Sequence, residues 1–407
     1  MSTSSFSPEY AEYRRALATL NGLIRGERAG ADAPRDRRER ATRRLARTQQ
    51  LLDALDRPQD AYATIHVTGT SGKGSTSAAI AAMLSAAGYR TGLRTSPYLQ
   101  VATEKLQISH RLIDGLSFAA TVDEIFTTAE RLGLAPLVYT EAWAALSYLW
   151  FAQRQVDIAV IEVGAGGRFD TTNVITPEVS VITSVGMDHV VSLGPTLADI
   201  AWHKAGIIKR GQPVVIGNLR PEALSVVQQE AQALGAPLRT ASEPAAGLAT
   251  RMRGAFQATN ASVALAVMGA LRASGRVISE VAEEYGLAVA CLPGRLERMP
   301  GHAPGVWLDG AHNADKMQAL VSSFNSLLDQ KPVMVVGALG SKDIESMAGA
   351  IADTASAVIA TEPHVLGKRA MPAGDVALAL RAAGFAGSLE CEPYPIQAVA
   401  LAETIGQ

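Results

Sequence analysis

The segment Gly69-Thr70-Ser71-Gly72-Lys73-Gly74-Ser75 sets one lysine among three glycines. It follows the β-rich run 61–67 and precedes the Ala-rich stretch 75–88. A strand, a glycine turn and a helix in that order suit a phosphate. The N–H groups of Gly69, Thr70, Ser71 and Gly72 can point into one concavity, and a helix starting near Ser75 adds its positive end. Lys73 would place a point charge on the β- and γ-phosphates. The spacing differs from the usual P-loop, which has four residues between its first glycine and the Gly-Lys pair and a hydroxyl after the lysine. Here there are two, and Gly74 follows Lys73. A plain strand-to-helix turn with an exposed lysine would use the same residue types.

Further groups sit at the ends of other apolar runs. Glu162 ends the run 156–162 and opens EVGAGGRFDTTN. A carboxylate there, near a phosphate loop, suits Mg²⁺, a hard cation that takes oxygen ligands. Asp188 and His189 follow the run 179–186. Lys204 lies in a mostly apolar stretch, where a lysine usually snorkels to water. A lysine converted to a carbamate would instead offer an anionic oxygen to a second Mg²⁺. Beyond residue 306, Asp309 could hold a ribose hydroxyl, and His312 a carboxylate or an amine. Asn260 in QATNASVAL and Arg295 in LPGRLE are single polar candidates. Taken singly, each of these also reads as an ordinary surface or structural residue.

The elements that must position these groups alternate. Residues 8–24 read as an amphipathic helix. The Arg-rich run 25–55 reads as a solvated helical face with Leu45, Leu51, Leu52 and Leu55 on its buried side. Runs 156–164, 179–186 and 212–217 read as buried parallel strands, and 141–153 and part of 197–208 as helices. Strands alternating with helices predict an α/β fold with a mostly parallel sheet covered on both faces, a P-loop ATPase-like domain. Repeated Pro and Gly at 293–305 mark a linker between an N-terminal domain, 1–292, and a C-terminal domain, 306–407. In the latter, VWLDGA, PVMVVGAL and SAVIAT read as strands of a smaller Rossmann-like α/β sheet.

Composition narrows the class. The 407 residues are 48% hydrophobic and 19% charged, with a formal net charge of -2. That balance fits a globular protein and gives no electrostatic footprint for nucleic acid or an anionic membrane. Two cysteines supply neither a disulfide framework nor metal spacing. The polar N-terminus and the lack of a membrane-length apolar run predict a cytoplasmic protein.

Read together and in order, HVTGTSGKGST, TSPYL, EVGAGGRFDTTN, ITSVGMDH, LADIAWHKAGIIKRGQPV, QATNASVAL, LPGRLE, LDGAHN and GSKD resemble the folylpolyglutamate synthase/dihydrofolate synthase family, a branch of the Mur-type ligases. The resemblance runs from about residue 50 to the end. The short loop is the family's own, usually GTNGKGS, with Ser71 in place of Asn. It implies an ATP-dependent ligase that adds L-glutamate to a folate-type carboxylate, dihydropteroate or tetrahydrofolate, through an acyl phosphate. It also implies two Mg²⁺ ions, small-molecule substrates and a monomer.

The implied roles transfer position by position. Gly69 to Ser75, Asn260, Arg295 and Asp309 would hold ATP. Ser96, Glu162, His189 and a carbamylated Lys204 would ligate metal. Arg168, Asp170 and His312 would serve the substrates, and Lys73, Lys204 and His312 the chemistry. Tyr98, the missing Phe-Glu pair near Thr140, Phe256 and Ala314 depart from the family pattern, mostly around the acceptor. Other readings are a Mur-type amide ligase for a non-folate acid, a non-catalytic ATP-binding module and a P-loop kinase. The intact Glu162, His189, Lys204 and His312 speak against a mere binding module, and LDGAHN with the short loop against a kinase.

Overall fold

The structure, a computed structural model, describes residues 7–24, 36–244, 250–301 and 305–406. Residues 25–35 of the Arg-rich run and 302–304 of the linker lie outside the described residues. The chain divides into two units, one of Met1–Arg251 and Gln257–Leu292, the other of Met252–Phe256 and Pro293–Gln407.

The first unit is built on an eight-stranded sheet. Its strands are β1 (Ala63–Thr68), β2 (Thr91–Arg94), β3 (Leu106–Ile108), β4 (Arg111–Leu112), β5 (Ile158–Glu162), β6 (Val179–Ile182), β7 (Val214–Ile216) and β8 (Leu238–Thr240), in the order β4-β3-β2-β5-β1-β6-β7-β8. β2, β5, β1, β6, β7 and β8 run parallel, while β3 and β4 are antiparallel additions at one edge. The central strands are apolar throughout because both faces are covered. After β1 the chain crosses to β2 on one side, and after β5 it crosses to β6 on the other. The carboxyl ends of β5, β1 and β6 therefore form a topological switch point, where open α/β sheets bind ligands.

Two helices fix that edge. Lys73–Ala86 follows β1 and is buried from Gly74 to Leu84. Its small side chains admit helix Glu280–Val289 at close range: a Cβ on Gly286 would fall 2.4 Å from Met83 Cα. Helix Tyr139–Gln153 is apolar on all sides and buries Trp143, Tyr148 and Phe151 completely, as an interior helix must. Leu51 and Leu52 of helix Arg37–Asp53 are fully buried in the same core, so the described part of the basic run does have a packed side.

In the second unit β11 (Val333–Gly337), β12 (Ala357–Thr361) and β13 (Ser388–Cys391) form a three-stranded parallel sheet. The segment VWLDGA does not join it. Only Trp307–Leu308 is extended, as β10, paired antiparallel with β9 (Glu297–Arg298). Two residues with half-buried side chains are too short a run to compete for a place in the sheet.

Candidate functional site

The glycine loop is stitched to the end of β6. Thr70 N–H donates to Ser184 O (3.0 Å) and Ser71 N–H to Ser184 Oγ (2.8 Å). Thr183 Oγ1 and Ser184 Oγ donate back to Ser71 O at 2.6 and 3.0 Å. This corrects the expectation that four successive loop amides face the ligand. Those of Thr70 and Ser71 are used internally. That leaves Gly69 and Gly72 of the four, together with the N-terminal turn of helix Lys73–Ala86, whose first amides have no acceptor within the helix. Gly72 caps that helix at φ +83°, and a Cβ on it would lie 2.2 Å from Asn260 Oδ1. Glycine is required there by backbone and by space together, and Asn260 is placed directly on the loop. Lys73 folds back so that Nζ donates to Gly69 O at 2.8 Å. The Ser71 hydroxyl is buried with no hydrogen-bond partner among the described residues.

Glu162, the last residue of β5, is 3% exposed. Its Oε2 accepts the Ser96 N–H at 2.7 Å. Arg94, buried at the end of β2, donates to the Glu162 main-chain carbonyl and to Ser147 Oγ. A Cβ on Gly74 would lie 3.7 Å from Glu162 Oε1. The residue that lacks the hydroxyl of an ordinary P-loop is thus adjacent to a carboxylate that holds a serine.

Gly69, Thr70 and Lys73 share a cleft with Gly164, Ala165, Gly166, Asp188, His189, Leu193 and Lys204. Its volume is about 10 Å³, room for one water-sized particle. Lys204 lines it from helix Leu197–Ala205 and is 2% exposed. The loop Gly164–Gly167 crosses the end of that helix. A Cβ on Gly167 would meet His203 O at 2.9 Å and Lys204 O at 3.1 Å, and Arg168 N–H donates to His203 O at 2.7 Å. His189 adopts φ +53°, a left-handed conformation that costs a non-glycine residue about 1 kcal/mol. It caps the short helix Val190–Leu193. Among the described residues no three His, Cys, Asp or Glu converge as a metal cluster. The proposed donors are instead a carboxylate, an imidazole, a hydroxyl and a lysine.

Arg168 and Asp170 are engaged in holding the scaffold. Asp170 Oδ2 accepts from Gly164 and Ala165 N–H at 3.1 and 3.3 Å, and Oδ1 from Thr172 N–H and Oγ1 at 2.9 and 2.6 Å. Arg168 lies over the Trp202 ring at 4.2 Å and pairs with Glu230 at 2.9 Å. Behind them His66 in β1 is fully buried, with Nε2 2.9 Å from Thr172 Oγ1. Burial pushes its pKa well down, assisted by Lys209 and Arg94.

In the second unit Asp309 follows β10. Its oxygens accept from Leu296 N–H and Ala311 N–H, both at 2.7 Å. Burial raises its pKa, while those two hydrogen bonds, Arg295 and Lys316 act the other way. A Cβ on Gly310 would lie 2.5 Å from Arg295 Nη1. His312 Nδ1 is 2.7 Å from Gly310 O, and its Nε2 is 3.0 Å from Lys316 Nζ.

Residues 67–246 match the Mur ligase middle domain and 294–406 the Mur ligase glutamate ligase domain. The folylpolyglutamate synthase of Lacticaseibacillus casei is 38% identical over 333 residues, 73% of this chain and 76% of that protein. The dihydrofolate synthase/folylpolyglutamate synthase of Bacillus subtilis is 35% identical over 335 residues, 74% and 77%. The Mycobacterium tuberculosis folylpolyglutamate synthase complexed with ADP superposes with a TM-score of 0.86 at 30% identity, covering 98% of this chain and 92% of that one. A folylpolyglutamate synthase–AMPPCP–folate complex gives 0.78 at 32%, with 97% and 99% covered.

The chain belongs to the folylpolyglutamate synthase/dihydrofolate synthase family.

Membership in this ligase family gives the departures a physical setting. Ala314 is the first residue of helix Ala314–Leu327, after the N-cap Asn313. That is the position where proline is tolerated because its missing N–H has no intrahelical partner, so alanine serves equally. In the segment without the Phe-Glu pair, Glu141 is 1% exposed. It caps its own helix through Val138 N–H at 2.8 Å and pairs with Arg47 at 3.0 Å. Tyr98 packs against the first unit's core, and Phe256 against the second's.

Thr183 and Ser184 lie within ITSVGMDH, where nothing in the residue pattern marks them as the clamp on the loop. The signal for Arg94 in the sequence is a charged residue closing a short run directly before TSPYL.

Proposed function

We propose that the protein joins the amino group of L-glutamate to the carboxylate of a folate-type acid at the expense of ATP. The observation that carries this reading is the cleft in which Lys73, His189 and Lys204 meet beside the glycine loop. In the first step a carboxylate oxygen of the acceptor attacks the γ-phosphorus, the bond to the bridging oxygen breaks and ADP leaves. In the second the glutamate nitrogen attacks the acyl carbon. The C–O bond to phosphorus breaks with its electron pair on phosphate, and the nitrogen gives up its protons to a base and to the departing phosphate.

Lys73 and the first-turn amides of its helix neutralise phosphate charge that grows as the two anions approach. The unpartnered Ser71 hydroxyl is a ready donor to a phosphate oxygen. Asn260 braces the loop from behind, while Arg295 and Asp309 are assigned to the nucleotide and His312 to glutamate. Asp170 and Arg168 keep the loop Gly164–Gly167 in shape, and that is the means by which they serve the acceptor.

The donor set fits Mg²⁺. Ser96 and Glu162 offer hard oxygens within one hydrogen-bonded unit, and His189 and a carbamylated Lys204 complete the assignment to two ions. When bound, Mg²⁺ supplies Lewis-acid stabilisation of phosphoryl oxygens. The same reading takes the protein as a cytoplasmic monomer acting on small molecules.

The test is to incubate purified protein with Mg-ATP, L-glutamate and either dihydropteroate or tetrahydrofolate, following phosphate release and product mass. Release that needs acid and glutamate together, with a gain of one glutamyl unit, is the expected result. Turnover with a different acid and neither folate compound would move the assignment to a non-folate amide ligase.

A further inference from the structure

The chain leaves the first unit after Arg251, rejoins it at Gln257 and leaves again after Leu292. The rejoined segment keeps returning to helix Lys73–Ala86. Near its start Asn260 stands against Gly72, and further on Gly286 lies against Met83. At its last residue it comes back to the first turn: a Cβ on Gly74 would fall 2.8 Å from Leu292 Cδ2. Gly74 is not among the residues with positive φ, so its backbone would accept any residue, and it is space that calls for glycine. The Leu292 methyl, with the two Glu162 carboxylate oxygens at 3.7 and 3.8 Å, borders the point a side chain would take.

Leu292 is half-buried, and Pro293 follows it. A proline ring fixes φ and brings no N–H, so this junction has little slack. Beyond it two donors hold the linker: Gly294 N–H to Glu297 Oε2 at 2.8 Å, and Leu296 N–H to Asp309 Oδ2 at 2.7 Å. Leu292 is therefore joined directly to the linker by the chain and to the turn that carries Lys73 by its side chain. The Thr70–Ser71 arm of the loop is already clamped by Ser184. That leaves the first helical turn as the part able to respond to phosphate.

We propose that Leu292 is a positioning residue: its side chain, lodged against Gly74, ties the phosphate loop to the point from which the linker departs. Phosphate held by Lys73 and the first-turn amides steadies that turn. Leu292 then has one seat, and the linker one starting point. The residue acts through Gly74 and not on a reacting atom. This deepens the ligase reading above, which needs the loop to hold phosphate.

The experiment follows amide hydrogen exchange of Gly294 and Leu296 in the full chain, with and without Mg²⁺-tripolyphosphate. This probe offers the loop its phosphates without a nucleoside, so contacts of Arg295 and Asp309 to a nucleotide do not enter. In the wild type it should slow both amides about ten-fold, a coupling of ordinary size. In Leu292→Ala the slowing should vanish, and in Leu292→Met it should return. A cavity left by alanine would speed exchange equally with and without the probe, so the diagnostic result is loss of the difference. No slowing in the wild type, or the same slowing in Leu292→Ala, would overturn the proposal.

Gly74→Ala approaches the contact from the other side. The closest neighbour of the new Cβ is the end of a flexible side chain, so Leu292 should shift while the fold stays. Exchange at Gly294 and Leu296 should then change without any ligand, and the change should disappear in the double variant with Leu292→Ala. An effect of Gly74→Ala that is the same with and without the Leu292 side chain counts against the tie. Titration calorimetry keeps two failures apart. A wild type that does not bind tripolyphosphate removes the phosphate role of the loop and the ligase reading with it, and the Gly74→Ala comparison still decides whether Leu292 links the turn to the linker.

Discussion

The main-chain N–H of Ser96 donates to Glu162 Oε2 at 2.7 Å, which ties the turn after β2 to the last residue of β5. One carboxylate oxygen is thereby committed to shaping the site, and both lie close to Gly74, 3.7 and 3.8 Å from where its Cβ would be. Glu162→Gln keeps an oxygen for Ser96 and removes the charge. Activity should fall about 10²–10³-fold, as for loss of one preorganised electrostatic group. The midpoint of thermal unfolding should hardly move. Steady-state kinetics beside calorimetry separates the two effects, and a variant with near-normal kcat would remove Glu162 from the metal assignment.

Gly72 and Asn260 make a coupled pair. Gly72→Ala must hold a side chain at φ +83° and place its Cβ 2.2 Å from Asn260 Oδ1. The backbone cost alone is about 1–2 kcal/mol, and the collision adds to it. In the double variant with Asn260→Ala the collision is relieved and the backbone strain persists. Unfolding free energies should therefore be non-additive, with the double variant recovering part of the loss. Strict additivity would mean the contact is not made.

Much of this loop could be read from residues alone, because Gly69–Ser75 is local: strand, turn and helix are consecutive. Its clamp could not. Thr183 and Ser184 are over a hundred residues away, and they reach Ser71 only because β6 lies next to β1 in the sheet. The order of strands is set by crossovers that leave no periodic trace. Lys105 shows the same limit. In sequence it looks like a surface charge after Glu104, yet it is 5% exposed and lies 3.7 Å from the centre of the Trp143 ring. The second unit's claim on Met252–Phe256 is likewise non-local. VWLDGA has the composition of a strand, but its pairing is with the two-residue β9, continued by Met299 N–H to Val306 O.

His66 gives the stability a pH dependence of known sign. Burial holds its folded pKa below the unfolded value of about 6.5. From that pH downward the unfolded chain binds more protons than the folded one, so stability falls as pH falls. The slope from this residue approaches about 1.4 kcal/mol per pH unit until the folded pKa is reached. Urea unfolding at pH 7 and pH 5 should show a steeper loss for wild type than for His66→Gln. Equal losses would mean the ring is protonated inside the fold.

Lys204 is 2% exposed beside His189 and Lys73 in the cleft. If its working form is a carbamate, Lys204→Ala should lose about 10²–10³-fold in kcat. A short carboxylic acid such as acetate should restore part of the loss by supplying an oxygen anion to the vacated space. Rescue by methylamine but not by acetate would assign the wild-type group as a free amine.

The inward turn of the Thr70 and Ser71 amides has a consequence for how nucleotide is taken up. Because these donors are already satisfied by Ser184, the loop has its shape before anything enters it. ATP then meets a rigid receptor and need not freeze a floppy one, so little of its affinity is lost to ordering the chain. Such a site trades adaptability for speed, and its tolerance for altered phosphate geometry should be narrow.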